Sequence, residues 1–312
     1  MRAFLARRLV MALLSLLGAT FLVFGISQLA QDPLLLYAKP SGYGVSPEQV
    51  AALRHKLGID RPIPVQYVLW LGRIFKGDLG NSIQDELPVR FKLSQRIPTT
   101  LKLGVASWVL ATMIGVPMGV LAAVQRGRGW DTVGRVFALF GQAVPGFWLG
   151  IMLVLVFSVH LNWLPSATAG NGFFSVKHYL MPVFVLGTAT AASYLRITRS
   201  AMLDVLDSEY VKMARSKGVN GMTVIWKHAF RNALITPITV SAVLLGSFIT
   251  GSVITETVFA LPGLGSMAVQ AVSTNDFPLL SAAALFFSLI WVSVDFFSDL
   301  VYVVIDPRIR LT

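Results

Sequence analysis

Two carboxylates interrupt the last long apolar run of this 312-residue chain, Asp295 and Asp299, four positions apart and so one helical turn from each other. Ionisable groups inside a membrane-length segment are costly, and they mark ion pathways or proton relays. These two, with Glu256 upstream, are the candidates for a pathway or gate. Other sources of chemistry are missing. The chain has no cysteine, which removes thiol catalysis, disulfides and Cys-based metal sites. His55, His160, His178 and His228 fall in different segments, so no shared metal site is expected. There is no G-x-x-x-x-G-K-[ST], no Gly-Lys pair, no HExxH, no EF-hand loop and no nucleophile elbow. The motifs predict a non-catalytic chain that binds neither a cofactor nor a metal.

Apolar residues make up 55% of the sequence and charged residues 13%, against roughly 25% charged in a soluble domain. The charges are segregated into connecting segments, which is a membrane pattern. The net charge of +11 does not point to nucleic acid, because the basic residues flank apolar spans instead of sharing one soluble face. Residues 9–30 are uncharged over 22 positions, too long for the apolar part of a signal peptide, so a retained first helix is expected. Five further runs follow at 103–124, 136–159, 179–195, 233–255 and 279–305. Backbone groups in lipid must be satisfied within the segment, so each run should be a helix. The fold class expected is an all-α membrane protein with six transmembrane helices.

Basic residues set the orientation. Arg2, Arg7 and Arg8 precede the first run, and Arg126, Arg128 and Arg135 follow the second. Seven Lys and Arg lie between Arg196 and Arg231, and Arg308 and Arg310 close the chain. The opposite short loops hold only Lys177. Both termini are therefore expected in the cytoplasm. Gly and Pro within the runs, Gly115, Pro117 and Gly119 among them, read first as close packing and kinking of membrane helices.

Three domains are expected: a first transmembrane helix at 1–30, a small helical extracytoplasmic lobe at 31–98, and a core of five spans at 99–312. In the lobe, Ser46-Pro47-Glu48-Gln49 starts a helix that Gly58 can end, and a second helix covers 65–75, closed by Gly77. Arg54, Lys76, Asp78 and Asn81 are candidates for receiving a partner there.

The most informative stretch is Asp207 to Gly218, within the cytoplasmic segment 196–232. Asp207 or Ser208 can cap a helix, Glu209 suits its positive end, and Lys212, Arg215 and Lys217 suit its C-terminal half. Gly218 can stop it, an Asn220-Gly221 turn follows, and a second short helix is expected over 222–232. A helix pair of this kind could lie on the membrane surface or insert into a partner's cleft.

Glu209, Tyr210, Ala214, Lys217, Gly218 and the run from His228 through Arg231, Asn232 and Leu234 resemble the coupling loop of permeases in binding-protein-dependent ABC importers. More narrowly, the chain resembles the first permease of dipeptide and oligopeptide systems. Support comes from Leu57-Gly58-Ile59-Asp60-Arg61-Pro62, from Gly77-Asp78-Leu79-Gly80-Asn81-Ser82, from Glu256-Thr257-Val258-Phe259 with Pro262-Gly263-Leu264-Gly265, and from Asp306-Pro307-Arg308-Ile309-Arg310. Tyr210 stands where the motif's name-giving Ala would be, and the proline after the motif, Pro237, comes one position late. The resemblance implies a multi-pass subunit of the bacterial inner membrane that forms half of a translocation pathway. Its implied partners are a second permease, two ATPase subunits that use ATP and Mg, and an extracytoplasmic peptide-binding protein. Glu209, Tyr210, Ala214, Arg215, Lys217, Gly218, Arg231 and Asn232 would couple to the ATPases. The same family also carries nickel complexes, glutathione and haem, and the intramembrane carboxylates keep a proton-coupled transporter as the alternative from another class.

Overall fold

The computed structural model describes residues 2–30, 60–166 and 176–305. The capped helix expected at 46–58, Arg54 and the 306–310 motif lie outside the described residues. Among the described residues the secondary structure is helical, apart from one isolated bridge between Asn81 and Pro88. The chain forms two compact units. One is built from Arg2–Pro98 and Gly263–Val292, the other from Thr99–Pro262 and the residues after Val292.

In the first unit, α1 (Arg2–Ala30) carries an apolar window over Ala6–Ile26, with Leu9, Leu13, Leu14 and Leu22 all exposed. An apolar surface of this length suits a membrane setting. The helix expected at 65–75 is α2 (Ile63–Phe75), begun by Pro62 and Pro64, which suit a first turn. It does not stand clear of the apolar helix. The Tyr67 hydroxyl donates to the Leu17 carbonyl at 3.0 Å and lies 2.7 Å from Thr20 Oγ1, near the middle of the α1 window. Phe24 and Trp70 stack around it at ring distances of 5.4–5.8 Å. Gly77 then takes a φ of +78°, ending α2 as the sequence predicts.

In the second unit, α3 (Val89–Val124) includes the second apolar run and starts well before it, its first ten residues belonging to the first unit. The third run is not one straight helix. It is α4 (Gly129–Ala143) and α5 (Gly146–His160), bent by 99°. Pro145 causes the break: it holds Val144 extended at ψ 120°, since a residue before proline avoids helix. The fourth run lies within α6 (Val176–Leu206), and the short α7 (Glu209–Ser216) follows. Next come α8 (Gly221–Ala233), α9 (Ile235–Thr250) and α10 (Ser252–Val258). The fifth run is thus interrupted twice, first at Leu234, where α8 and α9 meet at 42°. Pro237 lies in the first turn of α9 and cannot donate to the carbonyl four residues back, which places that bend. The last elements are α11 (Leu264–Ser273) and α12 (Phe277–Ile305), the latter holding the sixth run.

The packing of α6 sets the second unit. A Cβ at Gly115 would lie 2.5 Å from the Ala191 carbonyl oxygen and 2.6 Å from Tyr194 Cβ. One at Gly119 would lie 2.7 Å from Thr198 Cβ, and one at Gly141 would lie 2.8 Å from Ala192 Cβ. Gly115 and Gly119 form a small-x-x-x-small pair that brings two helices into backbone contact. Ser241 of α9 accepts from both Trp108 Nε1 of α3 and the Tyr194 hydroxyl of α6, each at 2.9 Å. These contacts assign Gly115, Gly119 and Gly141 to packing. Gly115→Leu should destabilise the purified chain by roughly 1–3 kcal/mol through overpacking. Gly129→Ala, where no atom lies within 4 Å of the new methyl, should leave it unchanged. Thermal unfolding in detergent followed by size-exclusion chromatography checks both, and equal melting of the two variants would contradict the packing account.

Candidate functional site

The coupling candidates are brought together on one block built from the end of α6, α7 and α8. Helix α7 is short, so its position depends on what it buries. Val211 is fully buried, in a cluster with Met202, Leu206, Val224, Ala229 and Ala233, and Ala214 packs against the same cluster. The cap differs from expectation. Ser208 stands at the N-cap position, but its hydroxyl donates back to the Val205 carbonyl at 2.5 Å. Asp207 pairs instead with Arg126 at 3.3 Å, across an exposed contact. Glu209 occupies the first turn and meets Lys212 at 2.8 Å, which holds the Lys212 ammonium above its ordinary pKa. Both side chains are more than half exposed, so the pair adds little stability.

The exit of α7 follows the sequence expectation. Gly218 has a φ of +75°, in the left-handed region that glycine enters without strain. Asn220 differs: it caps α8, its side chain accepting from Met222 N at 3.0 Å. Over Val224–Phe230, α8 widens into π-helix, a form found often at functional sites. There the His228 carbonyl accepts from Asn232 Nδ2 at 3.0 Å and from the Tyr210 hydroxyl at 3.3 Å, while Asn232 also donates to the Tyr210 oxygen at 2.9 Å. Tyr210 and Asn232 therefore clasp α7 to α8. An Ala at 210 could make neither bond.

The outward face of the block mixes exposed Arg215, Lys217 and Arg231 with exposed Tyr210, Met213, Met222 and Trp226. Met, aromatic and Arg side chains together are the composition of a protein interface. The sequence reading missed Met213, Met222 and Trp226. The signal was available, since each is a large apolar residue in an otherwise polar segment.

The remaining candidates have separate settings. Lys76, Asp78 and Asn81 are exposed, on a turn fixed by Asp78 Oδ1 accepting from Gly80 N at 2.9 Å. Beside it, buried Ser82 donates to buried Asp276, and Lys92 donates to Ser82 at 2.9 Å. Lys92 also pairs with Asp85 at 2.7 Å and holds that carboxyl below its ordinary pKa. Glu256 is fully buried and accepts from Thr100 at 2.6 Å and Ser252 at 3.0 Å. Asp295 is exposed and Asp299 buried. Arg199 binds Asp131 at 2.7 Å and 3.2 Å. Among the described residues no group of three or more His, Asp or Glu is placed to hold a metal.

Burial and exposure predict different outcomes within the block. Val211→Ala removes a buried anchor and should loosen α7 by roughly 1–3 kcal/mol, raising amide exchange across 209–216. Glu209→Gln breaks only a solvated pair and should leave that exchange nearly unchanged. Hydrogen exchange with mass spectrometry on the α7 peptides checks this, and equal protection in both variants would contradict the anchoring role of Val211.

Comparison with known proteins bears on the family and the fold. Residues 115–311 match the family model of the binding-protein-dependent transport system inner membrane component, and residues 1–104 match the model of its N-terminal region. The dipeptide transport system permease protein DppB of Escherichia coli K12 is 36% identical, over 99% of each chain. The oligopeptide transport system permease protein AppB of Bacillus subtilis 168 is 39% identical, over 99% of this chain and all of that one. A solved structure of the MetNI methionine ABC transporter, inward facing, superposes with a TM-score of 0.56 at 18% identity, covering 70% of this chain and 97% of that one. That likeness concerns the fold alone. On full-length sequence similarity, the chain belongs to the family of binding-protein-dependent transport system inner membrane components, as a multi-pass, non-catalytic permease subunit.

Proposed function

We propose that this chain is the transmembrane permease subunit of an ATP-driven peptide importer. It forms half of the translocation pathway beside a second, similar permease in the bacterial inner membrane. Of two ATPase subunits, one docks on the block carrying α7, and a peptide-binding protein docks on the opposite side, at the turn bearing Lys76, Asp78 and Asn81. Both termini face the ATPases, on the side rich in Lys and Arg. The full-length similarity to dipeptide and oligopeptide permeases supports peptide as cargo.

The observation that carries this reading is the construction of the coupling block. A lever must be stiff and must be joined to what it moves. Val211 roots α7 in the cluster beneath the end of α6, the Tyr210–Asn232 clasp ties it to α8, and the Gly218 exit fixes its length. An aromatic, Met and basic face is left outward for the ATPases. Closure of the ATPase dimer on ATP then moves α7, and through α6 and α9 switches the pathway between inward- and outward-facing. Arg215, Lys217 and Arg231 make charged contacts to the ATPases, and Ala214 keeps the inner side of α7 small enough to pack.

Gly218→Val tests the reading in proteoliposomes holding both permeases and the ATPases, with the binding protein supplied. The strained positive φ costs about 1–3 kcal/mol, while the spans and the membrane insertion stay intact. Peptide uptake should fall at least about tenfold, by tilting α7 or releasing the ATPases. Wild-type uptake should require ATP and should ignore an imposed proton gradient. Uptake driven by the gradient without ATP, or unimpaired coupling in Gly218→Val, would contradict the proposal.

A further inference from the structure

We infer that a groove between α4 and α6 binds the phosphate headgroup of a membrane phospholipid. The groove holds about 360 Å³ and is lined by Arg135, Leu139, Gln142, Leu195, Arg196 and Arg199. Two of its three guanidinium groups share one carboxylate. Asp131 is 2% exposed and takes Arg199 at 2.7 Å, Arg135 at 3.3 Å and the Gly127 amide at 2.9 Å. That carboxylate balances one of the two arginines it touches. Arg196 is exposed and makes no ion pair among the described residues. The three lining arginines, less the one aspartate that two of them bind, leave the groove a net charge of +2.

Position says which anion fits. Arg196 ends the uncharged run 179–195, so the groove opens where hydrocarbon gives way to headgroups. Its lining mixes three guanidinium groups and the Gln142 amide with the apolar side chains of Leu139 and Leu195. A phosphodiester accepts several guanidinium donors at once, and its acyl chain would cover Leu139, which is 72% exposed. Basic pockets between transmembrane helices hold anionic lipid headgroups in this way. Arg199 and Arg135 keep their bonds to Asp131 throughout, so a lipid here would also brace the joint between α4 and α6 that precedes the coupling block.

The test uses the assembled transporter in detergent, stripped of lipid and titrated with dioleoylphosphatidylglycerol, with bound lipid counted by native mass spectrometry. Arg196→Gln leaves the Asp131 contacts in place and should weaken one phosphatidylglycerol site by about tenfold, the loss of one charge-assisted contact. Arg196→Lys should lose less, and Arg73→Gln, on the exposed side of α2, should match wild type. A wild-type preference for phosphatidylglycerol over dioleoylphosphatidylcholine supports the site even if a variant fails to assemble. Equal lipid retention in wild type and Arg196→Gln would overturn the proposal. So would full displacement of the lipid by millimolar inorganic phosphate, because the apolar wall would then contribute nothing.

Discussion

The contact between α3 and α6 at Gly115 and Gly119 is the constraint on which the second unit rests. With the backbones so close, no side chain larger than hydrogen fits at either position. Lipid offers no hydrophobic drive for helices to associate, so close packing and buried hydrogen bonds must hold them. The first follows from the two glycines and from Gly141 against Ala192. The second comes from Ser241, which receives one donor from α3 and one from α6. With α6 fixed on two sides, its end at Leu206 becomes a fixed support for α7.

Magnitudes separate the contacts that hold the coupling block from those that decorate it. Arg126–Asp207 and Glu209–Lys212 are solvated pairs, worth about 0–1 kcal/mol each. Val211, fully buried, is worth more than both. Asp131 is a different case. Its buried carboxylate must be compensated, and Arg199 together with the Gly127 amide does so. Removing Arg199 would leave the buried charge to the more exposed Arg135 and the Gly127 amide, whereas removing Arg126 would cost little.

Much of this was legible in the sequence, and the omissions have physical reasons. The apolar runs located the spans because lipid enforces helix wherever a long run lacks charge. Gly218 was legible because few other residues tolerate a positive φ. Helix ends were not. Residues 196–206 continue α6 beyond its apolar run as an amphipathic extension, which hydropathy does not register. The break at Pro145 was visible as a residue, but its 99° bend depends on packing. The bond of Arg199 to Asp131 joins positions 68 residues apart, and nothing in either local sequence favours it over the aspartates of the last run. Ser208 and Asp207 look like caps in sequence, yet each found a nearer or more oppositely charged partner. The family resemblance supplied the candidate coupling residues. It did not supply the reason for Tyr210, which lies in its shared bonds with Asn232 and His228.

The central claim is that α6 and the coupling block move as one body. Because the chain has no cysteine, paired nitroxide labels can be placed at Lys177 and Met213, both exposed, one near the start of α6 and one on α7. Their separation can be read by pulsed electron resonance in the assembled transporter. The account predicts a single narrow distance distribution, the same without nucleotide and with ATP trapped. A second population, or a shift on ATP binding, would show that α7 swivels on α6 and would contradict the lever.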